Sequence, residues 1–105
     1  MATADLTIIP LGGEDGASVG RYLAEVARRL EHETRVRHRV HGGGTSLEGP
    51  TADVLAVVGE LHAVPFELGV PRVYTILKLD ERRDRPEQTH EDKERSIERR
   101  LEGGA

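Results

Sequence analysis

The order in which strand and helix patterns follow each other constrains the fold of this chain more than any other sequence feature. The stretch from Ala4 to Leu11 is rich in β-branched residues in rough alternation and stops at two glycines, which predicts a first strand. Apolar residues then recur at helical spacing from Val19 to Leu30, with Ser18 as the expected N-cap. The chain therefore begins with a strand and an amphipathic helix.

A glycine run separates the next two strand patterns. Residues Arg35 to His41 alternate in character, and Gly42 to Gly44 lead into the short stretch Thr45 to Glu48. A glycine run ahead of a Thr-Ser pair can cradle a phosphate, but the lysine and the following helix of a phosphate loop are both missing. We therefore expect two strands joined by a hairpin.

A second helix and a further strand complete the pattern. Thr51 is an expected cap, and apolar residues recur with helical period from Val54 to Leu68 until Gly69 ends the element. Pro65 falls inside this stretch and should kink or shorten the helix. Val73 to Leu79 is a strand by composition.

The resulting order, β-α-β-β-α-β, is that of the ferredoxin-like split βαβ arrangement in the α+β class. Two helices then cover one face of a four-stranded antiparallel sheet and leave the other face open. A length of 105 residues suits one domain, so we assign residues 1–105 to a single ferredoxin-like domain. Because a chain this short buries a modest fraction of its surface, we expect subunit association.

The C-terminal part of the chain is dominated by charged residues. Thr89 and Asp92 have the spacing of a capping box, so we predict an additional C-terminal helix over residues 88–102. Only Ile97 and Leu101 give this helix an apolar stripe, and such a helix is not stable alone. It must dock on its own domain or on a neighbour, unless the charged run is simply a solvated helix face.

Composition narrows the functional class. The absence of cysteine excludes disulfide scaffolds, thiolate metal sites and cysteine nucleophiles. A formal charge of −4 gives no general attraction to nucleic acid, and Tyr74 is the single aromatic residue of the predicted strands. The one basic patch, expected to be solvated or to form salt bridges between subunits, comprises Arg28, Arg29, Arg35, Arg37 and Arg39. With no membrane-length apolar stretch and no secretory pattern at the N-terminus, we expect a cytoplasmic location.

No residue pattern indicates catalysis or a metal site. His38 and His41 fall on opposite faces of a predicted strand and cannot chelate together. His62, alone on a helix, is typical of a polar packing residue. No Ser, His and Asp order identifies a nucleophile, so we expect neither enzymatic activity nor a cofactor.

The open sheet face is the remaining candidate for function. If two subunits stack these faces, hydroxyls and a carboxylate become enclosed in a small-molecule pocket. Periodicity alone does not say which of two alternating sets of strand residues faces outward. One set comprises Thr7, Arg37, Arg39, Ser46, Glu48, Tyr74, Ile76 and Lys78.

Several stretches in this order resemble the small thiamine-binding protein family. They are Leu6 to Gly12, Gly44 to Gly49, Gly69 to Thr75 and Lys78 to Arg83, together with His62, Lys93 and Ser96. The resemblance implies a ferredoxin-like domain with an extra C-terminal helix, assembled as a homotetramer that is a dimer of dimers. It also implies binding of thiamine or its hydroxymethylpyrimidine part without catalysis.

Thiamine carries a thiazolium cation and an aminopyrimidine, so its site needs a carboxylate, hydroxyls and a flat apolar wall. The candidate ligand-binding residues are Thr45, Ser46, Glu48, His62, Arg72, Tyr74 and Lys78. Arg72 and Lys78 suit an anionic group such as a phosphate ester, or a partner carboxylate. His62 is included on the resemblance alone, and Glu48 has the alternative role of a surface or salt-bridging residue.

Two other classes of function stay open at this point. The sheet face and the charged helix suit a structural or regulatory module that recognises a protein partner. An enzyme of the ferredoxin-like superfamily acting on a small metabolite is the third possibility. For a thiamine binder, the role would be transport, storage or sensing.

Overall fold

The computed structural model describes residues 1–13 and 19–103, and it confirms the predicted order of elements. The elements are β1 (Ala2–Leu11), α1 (Val19–Leu30), β2 (Arg37–His41), β3 (Gly44–Gly49), α2 (Thr51–Glu67), β4 (Arg72–Glu81) and α3 (His90–Gly103). The first six form the α+β ferredoxin-like arrangement, and α3 is the additional C-terminal helix. Across the described ranges, no helix is long and apolar enough to cross a membrane.

The four strands form one antiparallel sheet in the order β2-β3-β1-β4. Residues opposite each other share a face, so Ala4, Leu47 and Leu79 lie on one side of the sheet. Helices α1 and α2 cover that side and form the core with it. Its buried members include Leu6, Val26, Leu30, Leu47, Val54, Val57 and Val64, and each such side chain stabilises the fold by about 1.5 to 3 kcal/mol.

The hairpin between β2 and β3 depends on glycine. Gly44 has a φ of 146°, and a Cβ there would lie 2.4 Å from the carbonyl oxygen of Leu6. The Thr7 hydroxyl donates to the Gly43 carbonyl oxygen at 3.3 Å, which ties the turn to β1. The glycine run is therefore a structural hairpin rather than a phosphate loop.

The ends of α2 differ from expectation at one point. Its N-cap is Pro50, which has no side-chain cap hydrogen bond, so the prediction of a Thr51 cap is wrong. Thr51 is already helical, and its hydroxyl donates instead to the Glu81 carboxylate at the end of β4. Pro65 lies inside α2, which continues to Glu67. The expected Ser18 cap of α1 lies outside the described residues.

Helix α3 begins with the predicted capping box. The Thr89 amide donates to Asp92 Oδ2 at 3.0 Å, and the Asp92 amide donates to the Thr89 hydroxyl at 3.1 Å. The apolar residues of the helix contact little of their own subunit, since Ile97 is 60% and Leu101 is 78% exposed. The first turn of α3 must therefore hold the helix on the domain through polar contacts.

Candidate functional site

The sheet register assigns each candidate residue to a face. Glu48 lies opposite Thr3, and Ser46 lies opposite Asp5, on the face that α1 and α2 leave open. The same parity places the rest of the outward set there: Thr7, Arg37, Arg39, Tyr74, Ile76 and Lys78, with Arg72. The alternating set considered first in the sequence is thus the one on the open face.

Thr45 and His62 lie on the opposite side of the sheet. Thr45 pairs with Leu6 and is buried in the helix-covered layer. His62 Nδ1 is 2.6 Å from the Thr75 hydroxyl, and its ring meets Phe66 edge-on with centroids 5.6 Å apart. These are the contacts of a polar packing residue, and the structure does not bring either side chain together with Glu48. Their role in ligand binding stays a prediction.

A cleft of about 670 Å³ lies between the open face and the first turns of α3. The sheet contributes Asp5, Arg37, Arg39, Ser46 and Glu48, and α3 contributes His90, Glu91 and Glu94. Carboxylates thus line both walls, while the arginines come from edge strand β2. The arrangement suits a polar ligand that carries positive charge or hydrogen-bond donors.

Glu48 is the unusual residue of this cleft. Its Oε2 atom is buried, and no hydrogen-bond partner for it exists among the described residues. Its cross-strand neighbour Arg37 makes no ion pair in the described part of the chain. Leaving a buried polar oxygen without a donor costs about 1 to 3 kcal/mol. A donor group of a bound ligand would remove that cost.

Polar neighbours orient the hydroxyl beside Glu48. Ser46 donates from Oγ to Asp5 Oδ1 at 3.2 Å, and His41 Nε2 lies 3.2 Å from the same Oγ. The Gly43 amide donates to His41 Nδ1, so His41 Nε2 carries the proton and donates to Ser46 Oγ. One lone pair of the Ser46 oxygen then remains to accept a further hydrogen bond. The cleft therefore offers a hydroxyl that can accept a hydrogen bond, two residues along β3 from Glu48 and on the same face.

Two side chains of α3 hold the roof of the cleft. His90 Nε2 lies 3.2 Å from the Ala4 carbonyl oxygen and 3.3 Å from that of Leu47, so it donates to the sheet backbone. Lys93 Nζ donates to the Thr3 hydroxyl and to Asp80 Oδ2, both at 2.5 Å. The ammonium of Lys93 keeps the pKa of Asp80 below its usual range, through its hydrogen bond and its charge.

The β4 candidates lie away from Glu48 within one subunit. Tyr74 is opposite Ile9 on β1, six residues along from Thr3, a separation of about 20 Å at 3.3 Å per residue. Arg72, opposite Leu11, is farther still. Lys78 is closer, since it lies in one cross-sheet row with Asp5 and Ser46.

The predicted basic patch divides in two. Arg28 pairs with Glu25, Arg29 pairs with Glu25 and Glu67, and Arg35 pairs with Glu33 and Glu60. These three arginines form surface salt bridges within one subunit, whereas the expectation was a solvated patch or salt bridges between subunits. Arg37 and Arg39 instead line the cleft. Among residues 1–13 and 19–103 no group of His, Asp or Glu is placed to hold a metal ion.

Comparison with known proteins identifies the family to which this chain belongs. The family model described as "Thiamine-binding protein" matches residues 4–98. The chain belongs to the thiamine-binding protein family. The UPF0045 protein YqgV of Bacillus subtilis is 38% identical over 97% of this chain and 99% of its own length. A UPF0045 protein of Synechocystis, sll0230, is 39% identical over 93% of this chain and 78% of its own length.

Solved structures of similar proteins share the fold. Protein MJ1052 of Methanocaldococcus jannaschii matches with a TM-score of 0.79 and 34% identity, over 92% of this chain and 95% of its own. A Thermotoga maritima protein named for thiamine biosynthesis or salvage matches with a TM-score of 0.71. It is 18% identical over 91% of this chain and 97% of its own, so it shows the shared fold alone. This chain thus shares its architecture with both proteins.

Replacing Lys93 by Met removes the ammonium beside Asp80, so we expect the pKa of Asp80 to rise toward its usual range. The pKa is depressed in the folded state, so the pair stabilises the protein above the unfolded pKa of about 3.9. This contribution is lost as pH falls through the folded pKa. Carboxyl NMR titration measures the shift, with Lys78→Met as the control. An unchanged Asp80 pKa in Lys93→Met contradicts the anchoring contact.

Replacing His62 by Ala removes the hydrogen bond to Thr75 and the ring contact with Phe66. We expect the free energy of unfolding in urea to fall by about 1 to 3 kcal/mol. Thr75→Val is the matched variant, since it removes the same hydrogen bond and keeps the ring. Wild-type stability together with weakened ligand binding would assign His62 to the ligand instead.

Proposed function

We propose that this member of the thiamine-binding protein family binds thiamine, or its hydroxymethylpyrimidine part, in the cleft beneath α3. Binding occurs without catalysis and serves transport, storage or sensing in the cytoplasm. The observation that carries the proposal is the buried Glu48 oxygen that lacks a donor within the described residues. The family match over residues 4–98 supports the choice of ligand.

The cleft supplies groups that complement an aminopyrimidine and a thiazolium ring. The exocyclic amine of the pyrimidine is a donor, and Glu48 Oε2 is the acceptor without a partner. The Ser46 hydroxyl on the same strand would supply a second polar contact to the pyrimidine. The carboxylates of Glu91 and Glu94 on α3 complement the permanent positive charge of the thiazolium.

The uncovered apolar surface supports a homo-oligomer, which we propose to be the tetramer, a dimer of dimers, that the family resemblance implies. The far half of the open face exposes Leu11, Tyr74 and Ile76, and α3 exposes Ile97 and Leu101. Such residues on one small subunit are typical of an association surface. Stacking of two open faces would enclose the cleft and bring the Tyr74 ring of one subunit toward the ligand of the other.

Replacing Glu48 by Gln removes the charge and keeps the shape of the side chain. A charge-assisted hydrogen bond in a partly desolvated site contributes about 1.5 to 3 kcal/mol, so thiamine affinity should fall about 10- to 100-fold. Isothermal titration calorimetry on the assembled protein measures this. Glu31→Gln, a surface carboxylate at the end of α1, is the matched control. Wild-type affinity in Glu48→Gln would remove this carboxylate from the site.

Deleting Glu87 to Ala105 removes α3 together with its exposed apolar residues. We expect the oligomer to dissociate while the four-stranded core stays folded, because core residues such as Leu6 and Leu47 pack against α1 and α2. Sedimentation measures the mass of the assembly, and circular dichroism shows whether the core stays folded. The milder variant Ile97→Asp, which keeps the cleft roof, should weaken association in the same direction. An unchanged mass in both proteins contradicts the role of α3 in assembly.

A further inference from the structure

We propose that the cleft beneath α3 binds the hydroxymethylpyrimidine part of thiamine as its phosphate monoester, with the phosphate held by Arg37 and Arg39 of edge strand β2. This assignment rests on the proposed function, because it requires the pyrimidine ring at Glu48. Both arginines line the cleft together with that carboxylate.

The two arginines differ from the rest of the basic patch. Arg28, Arg29 and Arg35 each bind a carboxylate of their own subunit. Arg37 and Arg39 bind none in the described part of the chain, although carboxylates line the same cleft. Their positive charge is therefore left available to an anion from outside the chain.

Strand geometry directs both arginines to one anion. They lie two residues apart on β2, opposite Glu48 and Ser46 of β3, so both face the open side. At 3.3 Å per residue their Cα atoms are about 6.6 Å apart. A guanidinium presents a planar fork of donors that fits two oxygens of one phosphate, and two long side chains at this spacing can converge on a single phosphate group.

The cross-strand pairing also matches the order of groups on the pyrimidine. Glu48, assigned to the exocyclic amine, lies directly opposite Arg37, with Cα atoms about 4.5 to 5.5 Å apart. In hydroxymethylpyrimidine the amine and the hydroxymethyl group occupy neighbouring ring carbons. A phosphate on that hydroxymethyl group therefore lies beside the amine, as Arg37 lies beside Glu48.

The opposite side of the cleft carries the opposite charge. Glu94 of α3 lines it and has no ion-pair partner within the described ranges. A ring anchored at Glu48 can direct its neighbouring substituent either toward α3 or toward β2. The thiazolium of thiamine is attracted to the carboxylates of α3, whereas a phosphate ester is attracted to the arginines of β2.

Isothermal titration calorimetry with hydroxymethylpyrimidine and its monophosphate tests the assignment, at about 50 mM salt, where exposed charges are weakly screened. The wild-type protein should bind the monophosphate about 10- to 100-fold more tightly. The double variant Arg37→Gln/Arg39→Gln should lose this preference without weaker binding of the unphosphorylated compound. Arg28→Gln/Arg29→Gln removes the same charge outside the cleft and should keep the preference.

Two further measurements make the test specific. Arg39→Lys keeps the charge but loses the planar fork, so it should retain only part of the preference. Inorganic phosphate should compete with the monophosphate and leave binding of the unphosphorylated compound unchanged. If inorganic phosphate instead strengthens that binding as much as esterification does, the arginines hold a free ion and the ester is not the ligand.

Equal affinity of the wild-type protein for both compounds would overturn the assignment, and so would a preference that survives in Arg37→Gln/Arg39→Gln. Either result leaves the proposed function standing, because the unphosphorylated compound still binds. If thiamine and both pyrimidines fail to bind, the proposed function is wrong as well.

Discussion

The antiparallel register of β1 with β3 and β4 determines which side chains form the core and which line the open face. Because side chains alternate with a period of two, pairing Ala4 with Leu47 sends one set of residues to the helices and the other to the open face. A slip of one residue would bury Glu48 and expose Leu47. Core burial therefore enforces the same register that exposes the polar cleft, so the fold cannot keep its core without presenting Glu48 on the open side.

The cleft also needs α3, which attaches to the sheet by polar contacts rather than by a packed core. His90 and Lys93 reach backbone and hydroxyl groups of β1 and β3, while the apolar residues farther along the helix face away from their own subunit. Polar anchors of this kind are each worth about 0.5 to 3 kcal/mol. In the proposed function, assembly and ligand binding would therefore both depend on the same short helix.

The sequence was sufficient for the fold, because the apolar periods of two and 3.6 residues are strong from Ala4 to Leu79 and few topologies accept their order. The alternation of residues along the strands also grouped Ser46 and Glu48 on one face. It equally requires that Thr45 and Ser46 face opposite sides, so within one subunit the two side chains do not line the same cleft. His90, Glu91 and Glu94 were missed, since the path of α3 over the sheet depends on long-range contacts that no local pattern records. Arg72 and Tyr74 were grouped with Glu48 because the sequence does not give the register between strands. That register sets how far apart two residues on the same face lie.

The central claim is that the cleft between the open face and α3 is the thiamine site. Titration of isotope-labelled protein with thiamine, followed by amide NMR, tests it most directly. The account predicts saturable shifts confined to β2, β3 and the first turn of α3, with the Ser46 and Glu48 amides among the largest. Saturable shifts confined instead to the glycines that end β1 and to the loop before β4, or no shifts at millimolar thiamine, would contradict it.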